Sequence, residues 1–295
     1  MGISKGGASL IFELKTSESL AGKICTLGRQ SCHVTPHQLC SISEKFGFGL
    51  APSVDILGNT VDDDYLFRSL GFDSVESIDV NDYENATHII DFNNELPNEL
   101  AGLYDAVYDG GTLEHIFNLP QCLKNIHKLL KPGGIIMHAL PSSNHVDHGF
   151  YMFSPTLFYD YYTTNRWNVL RSNIFEYTRK HNIDDWLIYN YFPGSIDNLS
   201  FGGWGGKKML GIWFVARKMV DSRCDLIPMQ GSYLSLWEES KIGRTKFIPI
   251  ASESYIKKKI KSNSIIYFLA RNILAIFRAI TAKRNSNKPK IIARY

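Results

Sequence analysis

One stretch limits the possible folds more than any other: YDAVYDGGTLEHIFN at 104–118, followed after a helical interval by LLKPGGIIMHAL at 129–140. Tyr104, Ala106 and Tyr108 alternate with Asp105, Val107 and Asp109, so the segment reads as a strand that stops at Gly110-Gly111. Leu119, Cys122, Leu123, Ile126, Leu129 and Leu130 then recur at helical spacing over 118–131. Lys131-Pro132-Gly133-Gly134 stops that helix, and a strand, GIIMHAL, begins at once at 134–140. A strand, a helix and a strand joined this tightly require a sheet with parallel neighbours and helices covering its faces.

The flanking segments extend the pattern. KICTLG (23–28), VESIDV (75–80) and THIIDFN (87–93) read as earlier strands, WNVLRSNIFEY (167–177) and MLGIWFVARK (209–218) as later ones. Pro36 opens a helix to about 46 with Thr35 as its cap, Asp62–Leu70 is a helix ended by Gly71, and Ser154-Pro155 opens another to about 164. The fold class expected is α/β: a Rossmann-like, seven-stranded, mostly parallel sheet with helices on both faces and an antiparallel strand near one edge. Residues 1–240 form the sheet domain, with 48–61 as a loop and 178–208, rich in Trp, Tyr, Phe and Asn, as an insertion or lid.

Charge separates the remainder. The net charge is +3, but residues 241–295 carry 14 Lys/Arg against one acid, leaving 18 Lys/Arg and 28 Asp/Glu before them. Within that basic tail, SIIYFLARNILAIFRAITA (264–282) repeats its apolar residues on one helical face, so 241–295 is expected to be a basic amphipathic helical appendage. Such a helix docks on the domain or on a second copy as a homodimer contact, or rests on an anionic membrane surface; nucleic acid is the weakest fit. The five cysteines form no C-x-x-C pair, and MGISKGGASL has no apolar core of a signal peptide. A cytoplasmic location, extending to the inner face of the membrane, is expected.

The four strand ends carry Gly28, Asp79, Asp91 and Asp109-Gly110-Gly111 in order, and an open parallel sheet binds ligands at such ends. With YDGGTLEHIFN and LLKPGGIIMHALPSSN, this set resembles the class I S-adenosylmethionine-dependent methyltransferases over about residues 23–217. The resemblance implies S-adenosylmethionine as cofactor. It puts Gly28, Arg29 and Gln30 in the first cofactor loop; where that loop departs from the family's pattern, Arg29 is expected to fork onto the cofactor carboxylate instead. Asp79 is expected on the ribose hydroxyls, Asp91, Phe92 and Asn93 at the adenine, and Asp109, Gly110 and Gly111 beside the methionine part. The usual acid and G-x-G-x-G of the first loop are replaced by Thr26-Leu27-Gly28-Arg29-Gln30-Ser31, with a single glycine.

Glu114 and His115 sit at the expected start of the helix after the fourth strand, and His148 follows the fifth. His115, His148 and Glu114 are the candidate catalytic groups, a histidine removing the proton of a hydroxyl acceptor. His145, Asp147 and His148 have the spacing of a metal set, but substrate contact and loop anchoring are the preferred reading, and no metal is assigned. Tyr151 and Phe153 are candidate walls of the pocket. The aromatic, amide-rich insertion suits a small-molecule or carbohydrate acceptor, and O-methylation is the expected reaction. The alternatives are a nicotinamide-dependent oxidoreductase, against which the missing G-x-G-x-x-G argues, and a non-catalytic, membrane-associated binding module.

Overall fold

The computed structural model describes residues 2–50, 60–178, 180, 184–196, 204, 208–231, 233–234 and 290–295. Nearly all belong to one compact unit, Met1–Phe192 with Lys207–Pro228 and Lys290–Tyr295. Of the second unit, Pro193–Gly206 with Met229–Pro289, the described part includes a turn at 193–196.

The elements of the first unit are α1 (Lys5–Lys15), β1 (Gly22–Leu27), α2 (Pro36–Lys45), α3 (Asp63–Ser69), β2 (Phe72–Asp79), β3 (His88–Ile89), β4 (Tyr104–Asp109), α4 (Leu119–Leu129), β5 (Leu130–Pro141), α5 (Pro155–Thr164), β6 (Asn168–Tyr177), β7 (Leu187–Asn190), β8 (Met209–Arg217) and β9 (Ile291–Arg294). The sheet order is β3-β2-β1-β4-β5-β8-β6-β7-β9. β3 through β5 run parallel; β8 then lies antiparallel between β5 and β6, and β7 and β9 add two further antiparallel pairings.

Local chemistry explains the boundaries. Thr35 and Gln38 form a reciprocal capping box at the head of α2, and Asp62 caps α3 through Tyr65 N–H. The period of two in β4 and β5 sends Ala106, Tyr108, Ile135 and Met137 into the core beneath α1, α2 and α3. Val107, Ile136 and Leu140 go into the opposite core with α4 and α5, and Tyr104 joins them out of period, next to a register shift between Tyr104 and Ala106. Helices therefore cover both faces, as the alternating sequence pattern requires.

Four expectations change. The third strand is two residues rather than seven, because Asp91 Oδ1 accepts Asn93 N–H at 2.9 Å and curls the chain out of the ladder. Glu114 and His115 belong to a single 3-10 turn, Leu113–His115, and α4 begins only at Leu119, ahead of Pro120. The sheet has nine described strands instead of seven: β7 lies inside the 178–208 insertion, and β9 comes from the basic tail. The appendage reading fails for the last of those residues, since Ala293 and Arg294 pair with Ile188 and Leu187. Two adjacent isoleucines supply the β-forming pair there, and flanking basic residues concealed it. The amphipathic stretch 264–282 lies outside the described residues.

The parallel layer is cross-linked by one carboxylate. Glu76 on β2 meets Lys23 Nζ of β1 at 2.6 Å, the Tyr104 hydroxyl of β4 at 2.7 Å and His88 Nε2 of β3 at 2.9 Å. Burial pushes its pKa up, but the bonds from Lys23, Tyr104 and His88 prevail and lower it from the ordinary 4.5 to about 2. A carboxyl with a depressed folded pKa stabilises above its unfolded value and loses that contribution as pH falls through the folded one. Stability should therefore decline between pH 4.5 and about 2. Glu76→Gln should flatten that limb in melting curves taken across the range; an unchanged acid limb would show that other carboxylates carry it.

Candidate active site

The ends of β1, β2 and β4 meet on the carboxyl side of the parallel layer. Gly28 follows β1 at φ +68°, where glycine is unstrained, and its N–H donates to Ile78 O at 2.7 Å. A Cβ at this position would stand 3.2 Å from Thr112 Oγ1 and 3.5 Å from Asp79 Oδ2. Bare backbone, a carboxylate and a hydroxyl thus line a cradle that a side chain at 28 would fill. Asp79 is half-buried and accepts Val80 N–H on Oδ1 at 2.6 Å, while its Oδ2 borders the cradle. The Thr112 hydroxyl donates to Leu27 O at 2.5 Å and ties the turn after β4 to the end of β1. Thr112 escaped sequence reasoning; its one signal is its place directly after Gly110-Gly111.

Asp91 is exposed beyond β3 and accepts from the Asn93 backbone and side chain and from Asn94 Nδ2. The Asn93 backbone N–H, and after it the Asn93 side chain, hold its carboxyl below the usual range. Asn93 in turn accepts Asn118 N–H at 2.9 Å, fastening this loop to the head of α4. The Phe92 ring is buried in the core under α4, which leaves its backbone as the part able to meet a ligand.

Arg29 and Gln30 are engaged within the protein. Arg29 Nη2 pairs with Asp63 Oδ1 at 2.5 Å, and Gln30 N–H donates to Asp63 Oδ2 at 3.0 Å. The buried Gln30 amide donates to Leu27 O at 2.9 Å and to Gly28 O at 3.3 Å. Its Oε1 approaches so closely that a Cβ on Gly110 would meet it at 2.2 Å, which is why the turn carries glycine there.

The Asp109 carboxylate is likewise consumed inside the protein. It is fully buried and accepts Thr112 and Leu113 N–H on Oδ1 at 3.1 and 3.3 Å. Its Oδ2 meets His138 Nδ1 at 2.7 Å, and His138 Nε2 meets the Tyr162 hydroxyl at 2.8 Å. A carboxylate accepts only, so Nδ1–H donates to Asp109, and a neutral ring then accepts from Tyr162 at Nε2. Asp109 positions the 110–115 turn from behind.

Next to that turn lies a second group. Glu114 is fully buried, and neither of its carboxylate oxygens has a hydrogen-bond partner among the described residues. Above it stand His148 Nε2 at 3.5 Å and His115 Nε2 at 3.8 Å from Oε1, with the two rings 5.2 Å apart. Burial first, and then the charge of Asp109, raise the Glu114 pKa to about 7. Burial lowers both histidines, and His148 lowers His115 further. Phe150 and Tyr151 N–H both donate to Glu114 O, at 2.7 and 3.2 Å, so the loop bearing His148 is strapped to Glu114 itself. Gly149 permits this approach: a Cβ would lie 2.8 Å from Glu114 O. His148 therefore joins Glu114 and His115 rather than His145 and Asp147; His145 Nε2 instead contacts the Tyr177 hydroxyl at 3.0 Å, and Asp147 is exposed at a left-handed turn. Phe153 is core, but Phe117 and Phe150 are exposed at 71% and 66% and pair edge-to-face at 5.6 Å beside the cluster. Sequence reasoning passed over those two rings because nothing in their spacing marks them.

Residues 64–188 match the family model described as a methyltransferase domain. The chain carries a methyltransferase domain. Its sheet is the class I arrangement, and S-adenosylmethionine is the donor of that class. The nicotinamide alternative is thereby set aside. No curated protein sequence matches this methyltransferase. Among solved structures it is similar to a 1,6-didemethyltoxoflavin N1-methyltransferase of Burkholderia thailandensis, crystallised with 1,6-didemethyltoxoflavin and S-adenosylhomocysteine. The identity is 12%, the TM-score 0.40, and the match covers 73% of this chain and 78% of that one. It is also similar to an S-adenosylmethionine-dependent methyltransferase of Aquifex aeolicus, at 10% identity and TM-score 0.35 over 70% of this chain and 88% of that one. At that distance the neighbours say nothing of the acceptor. No helix among the described residues of the methyltransferase is long and apolar enough to cross a membrane.

Proposed function

We propose that this methyltransferase methylates an oxygen of a small, ring-bearing molecule such as a sugar, with the Gly28 cradle holding the donor and the Glu114 cluster receiving the acceptor. The observation carrying the reading is the adjacency of the two: one short turn, 109–115, supplies Thr112 to the cradle and Glu114 and His115 to the cluster. The cradle fits the donor, because Gly28 leaves room for a nucleoside and Asp79 offers an oxygen for ribose hydroxyls. Asp91 and the backbone N–H of Phe92 take the adenine, the Asn93 backbone being spent on Asp91 and Asn118, and the backbone of Gly110 and Gly111 borders the methionine part. Arg29, Gln30 and Asp109 are positioning residues. The basic tail is a docking or association element.

When bound, S-adenosylmethionine would supply a sulfonium-activated methyl group for the acceptor oxygen, with S-adenosylhomocysteine as the other product. His115 or His148 takes the acceptor's proton. Both are held toward the neutral form by burial, so both are able to accept it near neutral pH. The exposed Phe117–Phe150 pair supplies faces for a ring. Positioning provides most of the rate, because the sulfonium is already activated.

Calorimetric titration with S-adenosylmethionine and S-adenosylhomocysteine tests the donor half; absence of binding at millimolar concentration overturns it. A mass-spectrometric screen of hydroxylated ring compounds for gain of one methyl group tests the acceptor half. On the best acceptor, His148→Ala or His115→Ala should lower turnover by about 10²–10⁴-fold with the cofactor Kd unchanged. Methyl transfer confined to nitrogen acceptors would replace the oxygen reading.

A further inference from the structure

We infer that Glu114, His115 and His148 form a binding site for one divalent transition-metal ion, of the zinc, manganese or ferrous class. Each residue offers one ligand atom, and these atoms all lie within 4.8 Å of one another. Metal–ligand bonds of about 2.1 Å at tetrahedral or octahedral angles need donor atoms about 3.0–3.4 Å apart. The 3.5 Å from Glu114 Oε1 to His148 Nε2 nearly meets that distance, and the 3.8 Å to His115 Nε2 needs a closure of a few tenths of an ångström.

The second observation is independent of the spacing. A carboxylate removed from water normally has a cation or several hydrogen bonds, since burial of an unpaired charge is costly. Both Glu114 oxygens are instead without a hydrogen bond among the described residues, and Oε1 faces the two histidine nitrogens. The histidine side chains are 47% and 37% exposed, so the outer side of the site is open to solvent and to further ligands. Two imidazoles and one carboxylate, with open positions opposite, suit borderline transition metals; magnesium and calcium prefer oxygen throughout. Tyr177, contacting His145 behind His148, and the Phe150 and Tyr151 N–H bonds to Glu114 O hold the ligands in place. The sequence spacing His-x-Asp-His points to the wrong partners; only the fold joins residues 114 and 115 to 148.

The site rests on the same three side chains as the proposed acceptor cluster, and its consequence for that reading is specific. An acceptor oxygen bound to the ion would lose its proton more readily and would be fixed before the donor. In that case Glu114, His115 and His148 are ligands rather than bases, and the metal-bound hydroxyl would give its proton to solvent water on the open side of the site.

The full-length protein, stripped with chelator and dialysed, should be titrated with Zn²⁺ by calorimetry and with Co²⁺ by visible absorption. One equivalent is expected, with cobalt d–d bands and no sulfur-to-metal charge transfer. Loss of even an outer-shell partner weakens metal sites about 10–100-fold, so Glu114→Gln and His148→Ala should each weaken binding at least about tenfold. The exposed His37→Ala should leave it unchanged. Circular dichroism, and retained binding of S-adenosylhomocysteine, show that the variants are folded. Absence of binding at millimolar metal, affinity unmoved by either variant, or a thiolate charge-transfer band would overturn the inference. S-adenosylhomocysteine binding without metal binding sinks this inference alone, and metal binding without S-adenosylhomocysteine binding sinks the proposed function alone.

Discussion

Asp109→Ala should destabilise the protein by roughly 3–5 kcal/mol, since a buried donor left without its acceptor costs about 1–3 kcal/mol and several are stranded at once. Three donors lose their acceptor together: Thr112 and Leu113 N–H and the Nδ1–H of His138. Leu113, Asp109 and His138 are fully buried and Thr112 is half-buried, so water offers little replacement. At about 2–4 °C per kcal/mol for a domain of this size, the melting temperature should fall by roughly 6–20 °C. Asp109→Asn should be far milder. Its amide oxygen still accepts the two backbone groups, its NH₂ donates to Nδ1, and His138 exchanges tautomers so that Nε2–H donates to Tyr162. Thermal melts of the two variants decide the matter. Equal melting temperatures for Ala, Asn and the parent protein would mean that Asp109 is not the support of the 110–115 turn. A loss of cofactor affinity in the Asn variant without any loss of stability would return Asp109 to direct ligand contact.

Asp79→Ala should weaken S-adenosylhomocysteine binding by roughly tenfold to hundredfold. A hydrogen bond involving a charged group contributes about 1.5–3 kcal/mol, and about 1.4 kcal/mol is a decade of affinity. The carboxylate borders the Gly28 cradle, half-buried at the end of β2. Its removal leaves one local donor, Val80 N–H, to be satisfied by water, so the melting temperature should hardly move. Asp79→Asn should fall between the two, keeping two-point geometry without the charge. Calorimetry on the folded variants reads the effect, and an unaltered Kd for Asp79→Ala would remove the residue from the cofactor site.

The contrast between these two aspartates shows what a sequence discloses. Both end a strand before a turn, and from sequence both are candidate ligand contacts. The strand pattern locates both, helped after Asp109 by Gly110-Gly111, because those signals come from the backbone itself. Which way a carboxylate is spent depends on what lies across the sheet, and His138 is 29 residues further along the chain. The Glu114 cluster was half visible for the same reason. Glu114, His115 and His148 are all candidates from sequence, but the metal-like spacing ties His148 to His145 and Asp147, and only the Phe150 and Tyr151 bonds to Glu114 O show how its loop reaches Glu114. Arg29 followed suit: a free fork in the sequence, an ion pair with Asp63 in the fold. Helix ends, by contrast, were legible at Thr35, Asp62 and Pro155, where cap and helix are adjacent in the chain. Sequence reasoning places no helix over 5–15, where Gly6-Gly7 stand inside α1; Gly6 is there so that Trp186 can lie against the helix.

The pairing of β7 with β9 has a consequence for synthesis. β7 ends at Asn190 and its partner begins at Ile291, so the outer border of the sheet stays uncovered while a hundred further positions are being translated. Unpaired borders are where chains stick to one another, and closing so long a gap is slow. Ribosome-bound nascent chains stalled short of residue 291 should therefore be prone to clumping and should recruit chaperones, a hazard that lessens once Trp186 and Tyr295 exchange their two backbone hydrogen bonds and only the four-residue β9 is left at the border.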